Sequence, residues 1–567
     1  MESIQHYIQE GILYKPIIPN IHDWPIAKLF KRKGNFVNEV IAESIKSLEA
    51  GAKNDGNTLQ DLIVQTMYME RIRIYDDPYK IDPPDERKFW SAIKSELVKN
   101  EQLEEDPEAL MASNYQMLHD IVYRYSTEIA SAFKPQSYHF AKRFLPFMFS
   151  TLLNASAGKT IASTVNHRVK LQERVHLEGE IESIRELAQV GTVILVPTHF
   201  SNLDSIIVGW SLHAMGLPAF IYGAGLNLYN HAIPAFFMRR LGAYKVDRRK
   251  RNPIYRETLN TYSRRAIQNG VHSLFFPGGT RSRSGVIEKK LKLGLLGTAM
   301  DAQRNNFSDN RTGRGEKIFI VPVVIGYHFV LEAKSLINQH LTRTGKEQYY
   351  LLNDEFGSSR KFLEFLWKTF SAKSDISISL GKPMDMLGNF VDNAGVSYDS
   401  KGNPVDIKGY FMSRGELNDD PQRDREYTRL LGEKIVDRYH IENRVFASHV
   451  VAFVAFQLLK KKSPTMDLFG LLRLPEEERS IPKVEYYEAM ERILKGLYLL
   501  KDQGKINFAN HMSNDLEGLV NFGVKHLGLY HAKRPLMLKG DFLMTKSMNL
   551  LYYYHNRLVG YELERYI

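Results

Sequence analysis

Apolar residues between Ile26 and Phe133 recur three and four positions apart, as in Val37–Ala50 (VNEVIAESIKSLEA) and Tyr115–Phe133 (YQMLHDIVYRYSTEIASAF). That spacing lines them along one face of a helix, so the N-terminal region, 1–135, is predicted to be helical. Residues 76–87 (DDPYKIDPPDER) interrupt the pattern and read as a loop. Near residue 185 the rhythm changes. Short β-rich runs alternate with helix-length segments: TVILVP at 192–197, AFIYG at 219–223, HSLFFP at 272–277, KIFIVPVVIGY at 317–327 and ISISLG at 376–381. Apolar runs of this kind belong in strands covered on both faces, which predicts an α/β domain over 136–387. Residues 388–425 turn polar and rich in Gly, Asp and Asn, the composition of an insertion or linker. The rest, 426–567, is mostly helical in pattern, with a hairpin predicted where the two apolar runs of LMLKGDFLMT meet at Gly540-Asp541.

Length and charge narrow the class only slightly. A chain of 567 residues exceeds what one core usually fills. Its formal charge of +11 concentrates anionic partners at the surface, be they phosphate esters, acidic head groups or nucleic acid. The absence of cysteine excludes disulfides, thiolate nucleophiles and Cys-based zinc sites. The first residues lack the basic start and apolar run of a secretory signal, which implies a cytosol-facing protein. No run reaches the length of a spanning helix. Phe144–Ala157 and Val445–Leu459 come nearest, and both read as buried core helices, with an interfacial position in a membrane as the alternative.

Four segments carry candidate chemistry. In TVILVPTHFSNLD a buried strand runs out at Thr198-His199, and Asp204 falls in the first turn of the helix that follows, within reach of one imidazole nitrogen. Such a pair is what a general base needs, because the carboxylate fixes the tautomer and stabilises the imidazolium. Ser201-x-x-Asp204 also reads as a helix cap. In LGAYKVDRRKRNP, at 241–253, a short strand empties into four cations led by Arg248, either a phosphate ligand or a solvated basic turn. In HSLFFPGGTRSRSG, at 272–285, a strand breaks at Gly278-Gly279 and presents Thr280, Arg281, Ser282 and Arg283, a turn suited to an anion but without the Walker spacing. In KIFIVPVVIGYHFV, at 317–330, Pro322 marks a strand end or an edge position, and His328 reads as a packed or surface residue rather than a ligand. The histidines show no metal-ligand spacing.

Taken in order, HFSNLD, GAYKVDR, FPGGTRSRSG and IVPVVIGY resemble the four blocks of the glycerolipid acyltransferase superfamily. YGAGLN at 222–227, the AFFMRRLGAYKVDRR run and the late NLLYYYHNRL segment are similar to its glycerol-3-phosphate acyltransferase branch. The resemblance implies a central acyltransferase domain, a mixed sheet covered by helices, between helical N- and C-terminal regions. It implies that His199 deprotonates the glycerol 1-hydroxyl and Asp204 orients it, with attack on the thioester and no acyl-enzyme. Arg248, Arg281, Ser282, Arg283 and, more loosely, Asn227 would surround the acceptor phosphate, while Gly278, Gly279, Thr280 and Pro322 shape the blocks. No metal or other cofactor is implied. The implied partners are glycerol-3-phosphate, acyl-CoA or acyl-carrier protein, and an anionic membrane at whose cytoplasmic face the protein would sit, peripheral or monotopic. One departure stands out: where the third block normally has glutamate this chain has Gly278, and nothing in the sequence shows that Glu288, ten residues on, reaches the site. Lysophosphatidate or dihydroxyacetone phosphate as acceptor, and a non-catalytic lipid-binding scaffold, therefore stay open. A nucleic-acid binder lacks a recognition motif, and a serine hydrolase lacks its G-x-S-x-G elbow.

Overall fold

The computed structural model describes residues 13–100, 106–143, 175–229, 232–309, 316–344, 375–513, 515–529 and 531–567. Its helices of eight residues or more whose two ends both lie within these residues are numbered in order along the chain. Four of them, α1 (Lys33–Asn54), α2 (Leu59–Asp76), α3 (Glu86–Asn100) and α4 (Pro107–Ile129), form the N-terminal region, with the expected loop separating α2 from α3.

A seven-stranded sheet follows, made of β1 (Val175–Gly179), β2 (Thr192–Pro197), β3 (Ile221–Gly225), β4 (Ala243–Val246), β5 (Ser273–Leu274), β6 (Ile318–Tyr327) and β7 (Ile376–Leu380). Its order is β1-β7-β6-β2-β5-β3-β4. Strands β6, β2, β5, β3 and β4 run parallel, whereas β7 is antiparallel to β6 and carries β1 parallel to itself, so the sheet is mixed. Interleaved with the strands are α5 (Ile181–Val190), α6 (Asp204–Ala214), α7 (Pro253–Gln268), α8 (Gly294–Ser308) and α9 (Ala333–Thr344). Every residue of β2 and β6 is buried, which is why both read as unbroken apolar runs. Pro322 neither ends β6 nor lies at an edge: it sits mid-strand, opposite Val196 of β2. The antiparallel ladder to β7 stops one residue further on, at Val323↔Leu380, and the Pro322 carbonyl accepts the Gly381 N–H, so the missing proline N–H falls where no ladder bond is required.

The N-terminal helices do not form a separate unit. Phe36, Ile121 and Tyr125 share one core with Ile254, Tyr255 and Tyr262 of α7. A second core joins the sheet to the C-terminal helices α10 (Pro421–Glu442), α11 (Ala447–Lys462), α12 (Lys483–Asp502), α13 (Leu516–His526) and α14 (Met548–His555). Residues 447–459 of α11 are buried on all sides, so the run Val445–Leu459 is a buried strand end, Val445, leading into a core helix rather than an interfacial one. Phe144–Ala157 lies outside the described residues. Among the described residues no helix is long and apolar enough to cross a membrane.

The polar stretch 388–425 is folded. Asp385, Asp392 and Asp399 each accept backbone N–H groups two and four residues ahead, which makes three successive tight turns. Phe411 anchors the stretch by burying its ring near Phe307. The expected hairpin is present as Met537–Lys539 paired antiparallel with Phe542–Met544, its turn at Gly540 (φ +58°), and Ser480–Pro482 adds a third strand.

Candidate functional site

The C-terminal ends of the parallel strands gather the motifs, as is usual for ligand sites in open α/β sheets. β2 leads into Thr198-His199, β5 into Phe275–Arg283, β4 into Arg248 and β6 into His328–Glu332. His199 is held from several directions. Its Nδ1 lies 2.8 Å from Asp204 Oδ2, its ring stacks on Phe276 at 4.2 Å between centroids, and its carbonyl accepts the Ser282 N–H at 2.7 Å. Asp204 is wholly buried. Its Oδ2 also accepts the N–H groups of Phe200 (2.7 Å) and Ser201 (2.9 Å), while Oδ1 accepts the Tyr327 hydroxyl (2.5 Å). The helix that Asp204 opens has Leu203 at its N-cap and no side-chain cap; Ser201 Oγ instead accepts the Leu203 N–H in the tight turn before it, so Ser201-x-x-Asp204 is not a helix cap. With Nδ1 engaged by Asp204, Nε2 is the nitrogen left to exchange a proton with another molecule.

The third block closes over this turn in a way the sequence did not reveal. The carboxylate of Glu288 accepts the His199 N–H at 3.0 Å, and burial, opposed by that bond, pushes its pKa up to about 7. A Cβ placed on Gly278 would lie 2.9 Å from Glu288 Oε1 and 3.0 Å from its Cγ. Glu332, also buried, accepts the Asn202 N–H (2.9 Å) and the Ser201 hydroxyl (3.2 Å) and pairs with Arg281 at 3.3 Å. It thereby ties the first block to the third. Burial raises the Glu332 pKa and the Arg281 charge opposes that rise.

The basic residues separate by role. In the run 248–251, Arg249 is paired with Asp247 and Asp82, and Lys250 is buried against Glu128 (2.5 Å) and Glu86 (3.7 Å). Arg248 is exposed, with no hydrogen bond or ion pair among the described residues, and its Nη2 reaches to 4.0 Å from where a Cβ on Gly225 of β3 would stand. Arg281 lies beside Glu332, whereas Arg283 acts on His340 of α9, whose pKa is lowered by burial and further by the Arg283 charge. The Ser282 hydroxyl donates to the Val286 carbonyl at 2.8 Å and its N–H to His199, so the side chain braces the turn instead of standing free for a phosphate. Gly279 adopts φ +75° in the same turn, and Thr280 is half-buried there. Asn227 falls in the one-turn helix Leu226–Tyr229, and its side chain lies outside the described residues.

The C-terminal region adds a residue of the NLLYYYHNRL segment to which the sequence assigns no role. Arg557 is buried, lies 3.6 Å over the Phe200 ring and donates to the Ile325 carbonyl. Its charge favours the ionised forms of Glu288 and Tyr553, while burial holds its own pKa below the usual guanidinium value. His328 is a packed histidine, buried with Nδ1 3.1 Å from Ser448 Oγ and its ring against Phe446 and His511.

Residues 178–326 match the family model described as Acyltransferase. The glycerol-3-phosphate acyltransferase of Shewanella loihica is 22% identical over 94% of this chain and 57% of its own length. That of Pseudomonas fluorescens is 26% identical over 77% of this chain and 44% of its own length. The protein of the same name from Pseudomonas aeruginosa is 30% identical over 44% of this chain and 27% of its own length. The chain thus spans about half the length of the first two of these curated relatives. Among solved structures, the 1-acyl-sn-glycerophosphate acyltransferase of Thermotoga maritima aligns with a TM-score of 0.24 at 15% identity, over 66% of this chain and 93% of that one.

Proposed function

We propose, from the acyltransferase domain at residues 178–326, that this chain moves a fatty acyl group from acyl-CoA or acyl-carrier protein to the sn-1 hydroxyl of glycerol-3-phosphate, releasing lysophosphatidate. The observation that carries the reading is the His199–Asp204 pair, 2.8 Å apart on a turn fixed by Ser282 and Glu288. His199 Nε2 takes the proton of the attacking hydroxyl, and Asp204 stabilises the imidazolium. The oxygen adds to the thioester carbonyl. The tetrahedral intermediate then expels the thiolate, which recovers the proton from His199, so no covalent acyl-enzyme is needed.

Arg248 and Arg281 supply cations for the acceptor phosphate. Glycerol-3-phosphate as acceptor is supported by the names of the relatives, and a working site rather than a bare scaffold by the carboxylate filling the space at Gly278. We place the protein peripherally at the cytoplasmic face of an anionic membrane, a reading supported by its charge of +11.

The test is transfer of radiolabelled palmitoyl from CoA and from carrier protein to glycerol-3-phosphate, lysophosphatidate and dihydroxyacetone phosphate, in the presence of anionic liposomes. Lysophosphatidate should form from glycerol-3-phosphate, and His199→Ala should lower its rate by about 10²- to 10⁴-fold. Transfer to another acceptor only would reassign the substrate. No transfer from either donor would leave a lipid-binding scaffold.

A further inference from the structure

We propose that Glu288 is the positioning residue of the His199 turn, supplying from the following loop the side chain that position 278 lacks. The inference rests on the reading of His199 as the base. Its geometric support is independent of that reading.

Three observations converge. Glu288 occupies the volume that a side chain at position 278 would enter, since a Cβ on Gly278 would lie 2.9 Å from its Oε1 and 3.0 Å from its Cγ, so the Glu288 side chain would have to give way. Within that volume Glu288 Oε1 takes the His199 N–H at 3.0 Å, while Ser282 takes the His199 carbonyl, so the peptide groups on both sides of the base are fixed. The loop that delivers the carboxylate is itself fixed. Ser282 bonds to Val286, and Gly285, at φ +82°, packs so close to the Tyr553 carbonyl of α14 that a Cβ there would lie 2.2 Å from it.

A glutamate that merely satisfied one N–H would be an expensive choice, because Oε2 is buried without a hydrogen bond among the described residues. The positive charge of Arg557 and the elevated pKa, about 7, keep the group balanced between its two forms. In the third block as the family writes it, a glutamate stands at the position occupied here by Gly278. The side chain has moved along the chain while its place in space is filled.

Four variants test this: Glu288→Ala, Glu288→Gln, Gly278→Glu, and the transposed pair Gly278→Glu/Glu288→Gly. Loosening the turn should lower kcat of Glu288→Ala by about 10²-fold, with little change in acceptor KM. Gln can accept the same N–H, so Glu288→Gln should keep most of the maximal rate. Gly278→Glu alone should be impaired by crowding, and the transposed pair should recover most of the loss.

A second readout does not depend on turnover: the rate of His199 carbethoxylation by diethyl pyrocarbonate, followed by peptide mass spectrometry. It should rise in Glu288→Ala and return toward wild type in the transposed pair. An inactive wild type that shows this modification pattern would sink the acyl-transfer reading and leave the positioning role standing. Unchanged kcat and unchanged His199 modification in Glu288→Ala would overturn the positioning role. So would a transposed pair as stable as wild type that recovers neither readout.

Discussion

The guanidinium of Arg557 lies 3.6 Å over the ring of Phe200, the residue next to His199. A cation more than 300 residues further along the chain is therefore built into the turn that carries His199. It is buried, and its favourable charges include Glu288 and Asp204.

Removing that cation should be felt in stability before it is felt in chemistry. Arg557→Leu leaves buried carboxylates without their counter-charge and the Ile325 carbonyl without its donor, and should destabilise the fold by about 3 kcal/mol in chemical denaturation. Lysine has the charge but not the planar fork that covers Phe200 and reaches Ile325 together, so Arg557→Lys should recover only part of the loss. A wild-type denaturation midpoint in Arg557→Leu would refute this account.

Neighbouring arginines should behave in opposite ways. Arg249 is spent on Asp82 and Asp247, so Arg249→Ala should lower stability by about 3 kcal/mol. Arg248 is exposed and pairs with nothing among the described residues, so Arg248→Ala should leave the thermal midpoint nearly unchanged and raise the KM for the phosphorylated acceptor by about tenfold. Steady-state kinetics beside calorimetry would separate the two, and equal effects on both measurements would show the assignment to be wrong.

Glu288 also gives stability a pH signature. Burial raises its pKa from the ordinary carboxyl value of 4.5 to about 7, so between these values the folded state holds a proton that the unfolded chain has lost. The contribution of this group is complete below about pH 4.5 and fades as pH rises through about 7, a change of up to about 3 kcal/mol. Glu288→Gln has no such proton. Its stability relative to wild type should rise with pH across this window, and a difference that stays flat from pH 4.5 to 7.5 would contradict the shift.

Legibility in the sequence followed how local each feature was. His199 and Asp204, five residues apart on a strand-to-helix turn, could be paired from spacing, and the buried strands β2 and β6 announced themselves by apolar runs. β1 escaped notice because VHLEG is short, partly polar and borders only β7. Glu288, Glu332 and Arg557 reach the same turn from 89, 131 and more than 300 residues away, distances at which no periodicity operates. The cations at 248–251 look alike in sequence, and it is acidic partners, Asp247 beside them and Asp82 and Glu128 from the N-terminal region, that separate Arg249 and Lys250 from Arg248. Pro322 misled for a related reason: its mid-strand place depends on where β7 lets go of β6.

The core shared by the first helices and α7 has a bearing on how the protein is made. Phe36, Ile121 and Tyr125 share their core with other N-terminal residues such as Trp90, but the faces that meet Tyr255 and Tyr262 stay open until those residues leave the ribosome, more than a hundred residues later. At ordinary translation speeds that is a wait of roughly ten seconds with apolar helix faces uncovered. During that interval the nascent chain is a natural client for chaperones, and slow codons between the end of α4 and the start of α7 would lengthen its exposure.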